Sequence, residues 1–519
     1  MSTIEVILAS RAAESLSQAN LPELWPVAQG QWRTVQWEVR LRRTEVMMFR
    51  RDYSFERATA AGENARRERR LEHIRGLRLN VVSETDVGWD LARRAWNLAA
   101  DQRPRHVAFP ETADDVVKLV TFAGGDGLRV APQGTGHGAG ALGAIEDAVL
   151  MRPSRMRDIA IDPDQGRARV GAGVTWAEVG AAAAAHGLAG LAGTSPEVGV
   201  VGYTLGGGLG WLARRYGLAC NSVLALDVVT ANGLLLHVDR EHEPDLFWAL
   251  RGGGGSFGIV TALEFALYPV REMYAGALFW PQERAAEILH AWQTWTTGLP
   301  DTVTSVGRLL NLPPLPEIPE GLRGRSFVLV EAACLATEGE GIELLRPLRE
   351  RGPEIDTFTM LPPTALGALH MDPVDPVPVS IDGWLLADLP SAAIDALVEA
   401  AGPESGSPLL SVELRHLGGA LLDAAPEHGA LASLDARFAT ATLSLVPNVD
   451  MAAAAERHSA NVRAALAPWE AERNYPNFAE RSFSVSDFFL PKTCERLVRV
   501  KAQYDPRDLI RSTHPIPTA

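Results

Sequence analysis

The chain has 519 residues, a length sufficient for two or three domains. Its 64 acidic side chains outnumber the 49 lysines and arginines, and the net charge of -15 argues against nucleic acid as the main partner. No stretch approaches the roughly 20 apolar residues of a membrane span. Residues 1–25 also lack the basic segment and apolar core of a secretory signal. We therefore expect no membrane association and a cytoplasmic location.

The three cysteines, Cys220, Cys334 and Cys494, are far apart in the chain and form no CxxC pair. This spacing predicts neither a zinc site nor a disulfide framework, and it fits a reducing compartment. We expect no metal site.

Residues 31–80 contain 13 arginines and 7 acidic residues, a balance opposite to that of the whole chain. Such a run is typical of a solvated helical surface, and the alternative is a docking arm for a partner. We favour the solvated surface and place an arginine-rich extension at residues 1–75.

The next part of the chain, to about residue 270, alternates short strands, short helices and glycine-rich turns. The apolar patterns predict helices at 89–98, 112–123 and 245–251, and strands at 106–109, 128–131, 168–173, 223–230 and 259–267. Asn232-Gly233 predicts a hairpin turn between two strands.

From about residue 271 the glycine content falls, and amphipathic helices alternate with strands. Helices are predicted at 283–295, 338–351, 391–401 and 451–467, and strands at 326–332, 380–388, 409–416 and 440–446. This alternation predicts an α+β unit with a sheet covered by helices on one side, and 312–319 is predicted to be a surface loop.

Two glycine-rich segments carry the strongest functional signal. The first glycine loop follows a predicted strand and ends at residue 138, and the second glycine segment covers residues 195–208. Glycine has no Cβ, so backbone N–H groups in such segments can close around an anionic group. His137 stands among glycines in the first loop, where it has no bulky neighbours to pack against. The combination predicts a tethered dinucleotide flavin.

The third glycine loop, residues 252–258, contains a literal GxGxxG. A Rossmann nucleotide site needs a strand before this motif and a helix after it. Here the predicted order is helix before and strand after, so a nicotinamide-binding Rossmann domain is not expected.

Five motifs occur in one order along the chain, at residues 110–116, 133–138, 198–208, 245–260 and 504–506. In this combination the chain resembles the vanillyl-alcohol-oxidase-type (PCMH-type) FAD-binding fold, specifically the berberine-bridge-enzyme-like FAD-linked oxidoreductases. The resemblance covers about residues 79–519. It implies an α+β protein in which a two-part FAD-binding domain, 76–270 and 466–519, surrounds an inserted substrate domain, 271–465, built on an antiparallel sheet covered by helices.

The resemblance also implies how FAD is held. His137 matches the histidine through which the family usually bonds FAD covalently. Many relatives add a second bond from a cysteine, but Ser195 stands at that position, so a single covalent bond is expected. The residues expected to contact FAD are Pro132, Gln133, Gly134, Thr135, Gly136, His137, Gly138, Thr194, Ser195, Val198, Gly199, Gly202, Tyr203, Gly206, Gly207, Gly208, Ile259, Val260, Tyr475 and Asn477.

The reaction implied by the resemblance is hydride transfer from a C–H bond to flavin N5 while a base removes an O–H or N–H proton. O2 would then reoxidise the flavin and give hydrogen peroxide. Val198 matches a position where valine leaves space for oxygen, which favours an oxidase over a dehydrogenase. The expected substrate is a small alcohol, amine or phenol of specialised metabolism, and the oligomeric state stays open.

Three side chains are candidates for proton transfer: Tyr475, Glu413 and His370. Tyr475 and Asn477 match the family's C-terminal Tyr-x-Asn-Tyr/Phe motif, in which the tyrosine is either a base or a hydrogen-bonding group. Phe478 stands where many relatives have a second tyrosine, which puts a two-tyrosine mechanism in doubt.

Glu413 precedes a family-like segment at residues 417–420. Strand alternation places Glu413 and Arg415 on one face and His416 on the other. If the first face meets the flavin, Glu413 could be a base and Arg415 an anion clamp, and the alternative is a structural salt bridge. His370 either reaches the substrate or belongs to a structural turn.

The same scaffold allows other activities. Oxidative cyclisation or oxygenation would not release peroxide in proportion to product, and the departures at Ser195 and Phe478 keep these reactions open. A dehydrogenase would use another electron acceptor. A flavin-binding protein without catalysis is least favoured, because the cofactor loops are intact.

Overall fold

The structure, a computed structural model, describes residues 72–316, 318–481 and 483–518. The chain divides into two units, Met1–His73 and Ile74–Ala519, and every element named below belongs to the second. The arginine-rich extension predicted at residues 1–75 lies almost wholly outside the described residues.

A four-stranded sheet carries the first glycine loop. Its strands are β1 (Asn80–Val82), β2 (His106–Phe109), β3 (Arg129–Pro132) and β4 (Ala148–Met151), in the order β1-β2-β4-β3. Three helices accompany them: α1 (Trp89–Arg93), α2 (Ala113–Asp126) and α3 (Ala139–Leu142). Strands β2, β3 and β4 are parallel, so α2 forms the crossover that such strands require. Thr112 and Asp115 form a capping box at its start, and Gly127 ends it with φ +65°.

The second sheet has five antiparallel strands and supports the other two glycine segments. They are β5 (Ile159–Asp162), β6 (Arg167–Gly171), β7 (Val223–Val229), β8 (Leu235–Asp239) and β9 (Ile259–Ala266), in the order β5-β6-β9-β7-β8. The helices here are α4 (Trp176–Ala184), α5 (Val200–Leu205), α6 (Ala213–Tyr216) and α7 (Pro244–Leu250). The predicted hairpin joins β7 to β8, with Gly233 at φ +75°. Helix α7 precedes the third glycine loop and β9 follows it, the order that excludes a Rossmann site.

The third sheet is antiparallel and has eight strands. They are β10 (Met273–Pro281), β11 (Val303–Asn311), β12 (Ser326–Cys334), β13 (Ile355–Asp356), β14 (Thr359–Leu361), β15 (Val379–Leu386), β16 (Ser411–His416) and β17 (Phe438–Leu445). The order is β13-β10-β12-β11-β16-β17-β15, and β14 pairs with β10. Helices α8 (Ala285–Thr296), α9 (Glu338–Arg349), α10 (Ser391–Ala401) and α11 (Val449–Leu466) accompany this sheet.

One face of the third sheet packs against these helices. Val330, Val412 and Leu414 point into this core, which also contains Trp292 and Ile394. The neighbouring residues of each strand point to the opposite face. There β11, β12 and β16 carry polar and charged side chains, so the sheet has one apolar and one functional face.

The C-terminal segment returns to the first sheet after α12 (Pro491–Tyr504). The Val130 backbone N–H donates to Leu509 O at 2.9 Å, and the Arg511 N–H donates to Val130 O at 2.8 Å. Lys501 is fully buried and pairs with Asp505 at 2.6 Å and Asp508 at 3.0 Å. The tail therefore extends the edge of the sheet that carries the first glycine loop.

The predicted α+β class, with an antiparallel sheet covered by helices, is confirmed. Strand β10 was not predicted, because its run of consecutive apolar residues lacks the alternation of a half-buried strand. Strand β11 was not predicted either, because threonine, serine, glycine and arginine interrupt its apolar residues without a regular alternation. Helices α4 and α5 were also missed, since alanines and glycines blur their apolar pattern. None of the described helices has both the length and the apolar content needed to cross a membrane.

Candidate functional site

A cavity of about 430 Å³ is lined by residues of all three sheets and of the C-terminal segment. It brings together Tyr475, Glu413 and His370 with most of the residues predicted to contact FAD. These are Pro132, Gln133, Gly134, Thr135, Gly136, His137, Gly138, Thr194, Ser195, Val198, Gly199, Gly202, Tyr203, Gly206, Ile259, Val260 and Asn477. The cavity therefore joins segments that are more than 300 residues apart in the chain.

His137 is held as a neutral ring on the first glycine loop. It stacks on Trp96 with a centroid distance of 4.2 Å and an interplanar angle of 16°. Its Nδ1 lies 2.8 Å from Thr135 Oγ1, while its buried Nε2 has no hydrogen-bond partner among the described residues. Burial lowers the pKa of His137 to about 4, although the carboxylate of Asp372 opposes this shift. The ring is therefore uncharged at pH 7.

The shape of this loop depends on Gly136. Its φ is +93°, a conformation that residues with a Cβ rarely adopt. A Cβ on Gly136 would also lie 2.9 Å from Ala95 Cα, too close for any side chain. The glycine thus lets the loop pass against the segment that carries Trp96.

Several other buried polar atoms of the cavity wall have no hydrogen-bond partner in the described part of the chain. They belong to Gln133 (Oε1 and Nε2), Arg511 (Nε) and His514 (Nδ1). A buried polar atom without a partner costs about 1–3 kcal/mol, so these atoms indicate a ligand with many polar groups. FAD has ring amides, ribityl hydroxyls and a pyrophosphate, and the residues fit it.

The three consecutive glycines at the end of the second glycine segment have different neighbours. Gly206 lines the cavity and contacts Asn477, whose Nδ2 donates to Tyr203 O at 2.8 Å. Gly207 and Gly208 are not among the residues that line the cavity, and their contact with the cofactor stays a prediction. A Cβ on Gly207 would meet the Tyr475 ring at 2.8 Å, and one on Gly208 would meet the Tyr203 ring at 2.6 Å. These two glycines make room for aromatic rings.

Ser195 stands at the position matched to a flavin-bonding cysteine. It is hydrogen-bonded to Asp372, which lies within residues 271–465. Its Oγ donates to Asp372 Oδ2 at 2.6 Å, and Thr194 Oγ1 donates to the same oxygen at 3.1 Å. Burial raises the pKa of Asp372, but His370 and Arg308 lower it by more, so the carboxyl is ionised at pH 7. Asp372 therefore connects the second glycine segment to the loop after His370.

Glu413 lies on β16 and faces the cavity, together with Arg415. Arg415 Nε donates to Glu413 Oε1 at 2.9 Å, and His370 Nε2 lies 2.7 Å from Glu413 Oε2. Burial raises the pKa of Glu413, but Arg415 and His370 lower it by more, so its pKa is well below the usual range. His416 points away, lies 3.0 Å from Arg214, and has a pKa lowered to about 3, chiefly by burial. The opposite orientations agree with strand alternation.

Arg308 and Glu331 also contact this group. We call the five residues together the charged cluster: Arg308, Glu331, His370, Glu413 and Arg415. Glu331 Oε2 lies 2.5 Å from His370 Nδ1, and Glu331 Oε1 lies 3.4 Å from Arg308 Nη1. Arg308 also donates to His370 O at 2.6 Å. Sequence reasoning missed Arg308 and Glu331, although one charged residue inside an apolar strand is a signal of a buried ion pair.

Tyr475 lies fully buried beside Gly207. Burial, with a smaller contribution from Cys220, raises the pKa of its hydroxyl far above the usual range. Asn477 Nδ2 lies 3.3 Å from the hydroxyl oxygen, and Phe478 packs edge-on against the ring at 5.1 Å. The protein groups around Tyr475 therefore keep its hydroxyl protonated.

Comparison with known proteins agrees with this cavity. A family model described as an FAD binding domain matches residues 104–239, and a model described as berberine and berberine like matches residues 473–517. The (R)-6-hydroxynicotine oxidase of Paenarthrobacter nicotinovorans is 36% identical over 201 residues, which are 38% of this chain and 44% of that relative. The chain thus spans less than half the length of that relative.

Two other proteins are similar over most of their length. An FAD-linked oxidoreductase of Bacillus subtilis, YvdP, is 27% identical over 460 residues, which are 84% of this chain and 97% of that relative. The solved structure of BBE-like 1 from Physcomitrella patens has a TM-score of 0.75 at 21% identity and covers 87% of this chain and 99% of its own, which shows a shared fold. The two family models, supported by the full-length relative and the shared fold, show that the chain contains the FAD-binding domain and the berberine-like domain of FAD-linked oxidoreductases.

Proposed function

We propose that the chain is an FAD-dependent oxidase that bonds its flavin through His137 and oxidises a small alcohol, amine or phenol with O2 as electron acceptor. The observation that carries this proposal is the neutral, stacked His137 ring in a cavity that is also lined by four of the five residues of the charged cluster. In this proposal residues 76–270 and 466–519 form the FAD-binding domain, and residues 271–465 form the substrate domain. The similarity to a nicotine oxidase supports an oxidase.

The environment of His137 supports the proposed covalent attachment of FAD. In the tautomer whose Nδ1–H donates to Thr135 Oγ1, the lone pair of Nε2 is free to form a bond. Trp96 fixes the plane of the ring. Ser195 is already occupied by Asp372 and has no thiol, which supports a single covalent bond.

When bound, FAD would supply the redox chemistry, which is acceptance of a hydride equivalent from a substrate C–H bond and transfer of its two electrons to O2. The chain's own residues hold the cofactor and manage one proton. Gln133, Arg511 and His514 offer buried polar atoms to the cofactor. Asn477 fixes the backbone at Tyr203 beside Gly206.

Of the three candidates for proton transfer, we assign Glu413 as the acceptor. His370 is protonated at pH 7 and Tyr475 retains its hydroxyl proton, so neither can accept another. Glu413 is ionised and can accept a hydrogen bond from the O–H or N–H group of the substrate. Because its pKa lies well below neutral pH, Glu413 is a weak base, and it can accept only a proton that becomes strongly acidic as the hydride leaves.

The test is a peroxide-coupled screen of alcohols, amines and phenols, with oxygen consumption recorded in parallel. The proposal predicts one hydrogen peroxide per product formed, and anaerobic bleaching of the flavin by the same substrate. Product without peroxide would indicate oxygenation or cyclisation instead. Flavin that is reduced by substrate and reoxidised only by an added acceptor would indicate a dehydrogenase.

A further inference from the structure

Glu331 is a charged residue in an unusual place. It lies in the middle of β12 between Val330 and Ala332, and none of its surface is exposed. It is not among the residues that line the cavity. A fully buried carboxylate is costly unless other groups of the protein pair with it, so the groups around Glu331 indicate its role.

The group that Glu331 contacts is His370. The 2.5 Å separation of Glu331 Oε2 and His370 Nδ1 places Glu331 on one side of the imidazole ring. On the other side, His370 Nε2 is 2.7 Å from Glu413 Oε2. The ring therefore joins a buried carboxylate to the carboxylate that lines the cavity. With both nitrogens facing carboxylates, a doubly protonated imidazolium can donate to each of them.

Five charged groups surround the ring. Three carboxylates favour its protonated form: Glu331 on β12, Glu413 on β16 and Asp372 on the loop that carries His370. Arg308 on β11 opposes it, and Arg415 on β16 lies 3.5 Å from Nε2. Burial and Arg308 lower the pKa of His370, but the three carboxylates raise it by more, to about 9. The edge of Trp211 covers the ring at 6.2 Å.

We propose that Glu331 is a positioning residue that keeps His370 protonated, so that its Nε2–H holds the Glu413 carboxylate in place at the cavity wall. This inference rests on the proposed function, in which Glu413 receives the proton of the substrate. Without Glu331, His370 would face Arg308 and Arg415 with one carboxylate fewer, and the ring would lose a proton near neutral pH. The hydrogen bond that orients Glu413 would then depend on which nitrogen kept the remaining proton.

The test compares Glu331→Gln with Glu331→Asp, which keeps the charge, and with Glu354→Gln as a control. Glu354 is exposed and pairs with Arg325 at 2.7 Å, so its loss removes a surface ion pair of the same kind without touching the cluster. The main readout is the protonation of His370, followed by NMR of protein labelled with ¹⁵N-histidine and assigned by comparison with His370→Gln. This readout needs no substrate.

We expect His370 to be protonated at pH 7.5 in the wild type, in Glu331→Asp and in Glu354→Gln, and to be neutral in Glu331→Gln. The pH at which kcat/KM falls on the alkaline side should move down by at least one unit in Glu331→Gln only. An unchanged His370 titration in Glu331→Gln would overturn the proposal. If that variant fails to fold, a neutral His370 in the wild type at pH 7.5 would overturn it equally.

The two proposals fail separately. A chain that oxidises no member of the substrate panel, yet loses the His370 proton in Glu331→Gln, would support the positioning role and contradict the oxidase. If the chain releases peroxide but His370 stays protonated in Glu331→Gln, the oxidase is supported and the positioning role is contradicted.

Discussion

The cavity has two walls built on opposite principles. The wall formed by the first glycine loop consists mostly of backbone. We call it the glycine wall. Its one histidine, His137, is neutral, and the Nε2 atom of this ring has no hydrogen-bond partner among the described residues. The wall formed by the third sheet consists of charged side chains, and Arg308, His370 and Glu413 are each paired within it. The first wall is ready to receive a ligand, whereas the second has its charges balanced before any ligand arrives.

The two walls should tolerate different kinds of substitution. The glycine wall depends on small volume and unusual backbone angles, so adding a single carbon should damage it. The charged wall depends on the balance of its ion pairs, because a charge buried without its partner is costly. Substitutions that change size and substitutions that change charge should therefore affect different properties of the protein.

The largest effect is expected from Gly136→Ala, which tests the glycine wall. The added Cβ would meet Ala95 at 2.9 Å and would force a side chain into a positive φ, at a cost of about 1–2 kcal/mol for the backbone alone. We expect the purified protein to contain little flavin and to unfold at a lower temperature.

The matched control is Gly125→Ala, in helix α2, where a Cβ would meet nothing within 4 Å. That change should leave stability unchanged or raise it by about 0.5–1 kcal/mol. The two variants are compared by the ratio of flavin absorbance to protein absorbance and by the melting temperature. A Gly136→Ala protein with a full complement of flavin would refute the steric account.

The next effect concerns the charged wall. Glu413→Gln removes the proposed proton acceptor, leaves Arg415 without its paired carboxylate, and removes one of the two carboxylates that contact His370. We expect kcat/KM to fall by about 10²–10⁴-fold. The flavin content and the proposed bond to His137 should be unchanged, because Glu413 is not part of the glycine wall.

Stopped-flow measurement of anaerobic flavin reduction would separate this loss from any change in oxygen reactivity. Glu354→Gln, at the surface, should behave as the wild type. A Glu413→Gln enzyme that reduces its flavin at the normal rate would remove Glu413 from proton transfer.

A smaller effect is expected in the pH dependence of stability. The pKa of His370 is about 9 in the folded protein, above its ordinary value of 6.5, so its protonation favours folding. This contribution is complete below pH 6.5 and is lost as the pH rises through about 9. Between pH 7 and pH 10 the wild type should therefore lose more thermal stability than His370→Gln. Equal losses in the two proteins would show that the ring does not carry the charge.

The smallest effect is expected at the junction of the two walls. Ser195→Ala removes one of the two hydroxyls that donate to Asp372, while Thr194 remains at 3.1 Å. The expected cost is about 1 kcal/mol, the usual net value of one hydrogen bond. Asp372→Asn, which changes the acceptor for both hydroxyls, should cost more in thermal denaturation. The reverse order would contradict the assignment of Asp372 as the link.

The two walls also differ in how far the sequence predicted them. The position of His137 and the order of the glycine loops could be read directly, because a loop and its neighbours are local in the chain. Even there, Gly207 and Gly208 serve the rings of Tyr475 and Tyr203, since sequence does not show what faces a glycine.

The charged wall could be predicted only in part. Strand alternation gave the common face of Glu413 and Arg415, but Glu331 and Arg308 lie on other strands. Arg308 stands opposite Glu413 in the register of β11 and β16. Such a register depends on tertiary pairing across about 100 residues and leaves no local mark. Trp96 was also missed, because it stacks on His137 from a separate segment of the chain.

The most direct test of the central claim is acid denaturation of the purified protein, removal of small molecules, and mass analysis of the flavin-containing peptide. The account predicts that flavin absorbance stays with the chain, that the peptide contains His137, and that its mass shows a single attachment point. Flavin released entirely into the filtrate, or a flavin bonded to a peptide without His137, would contradict the account.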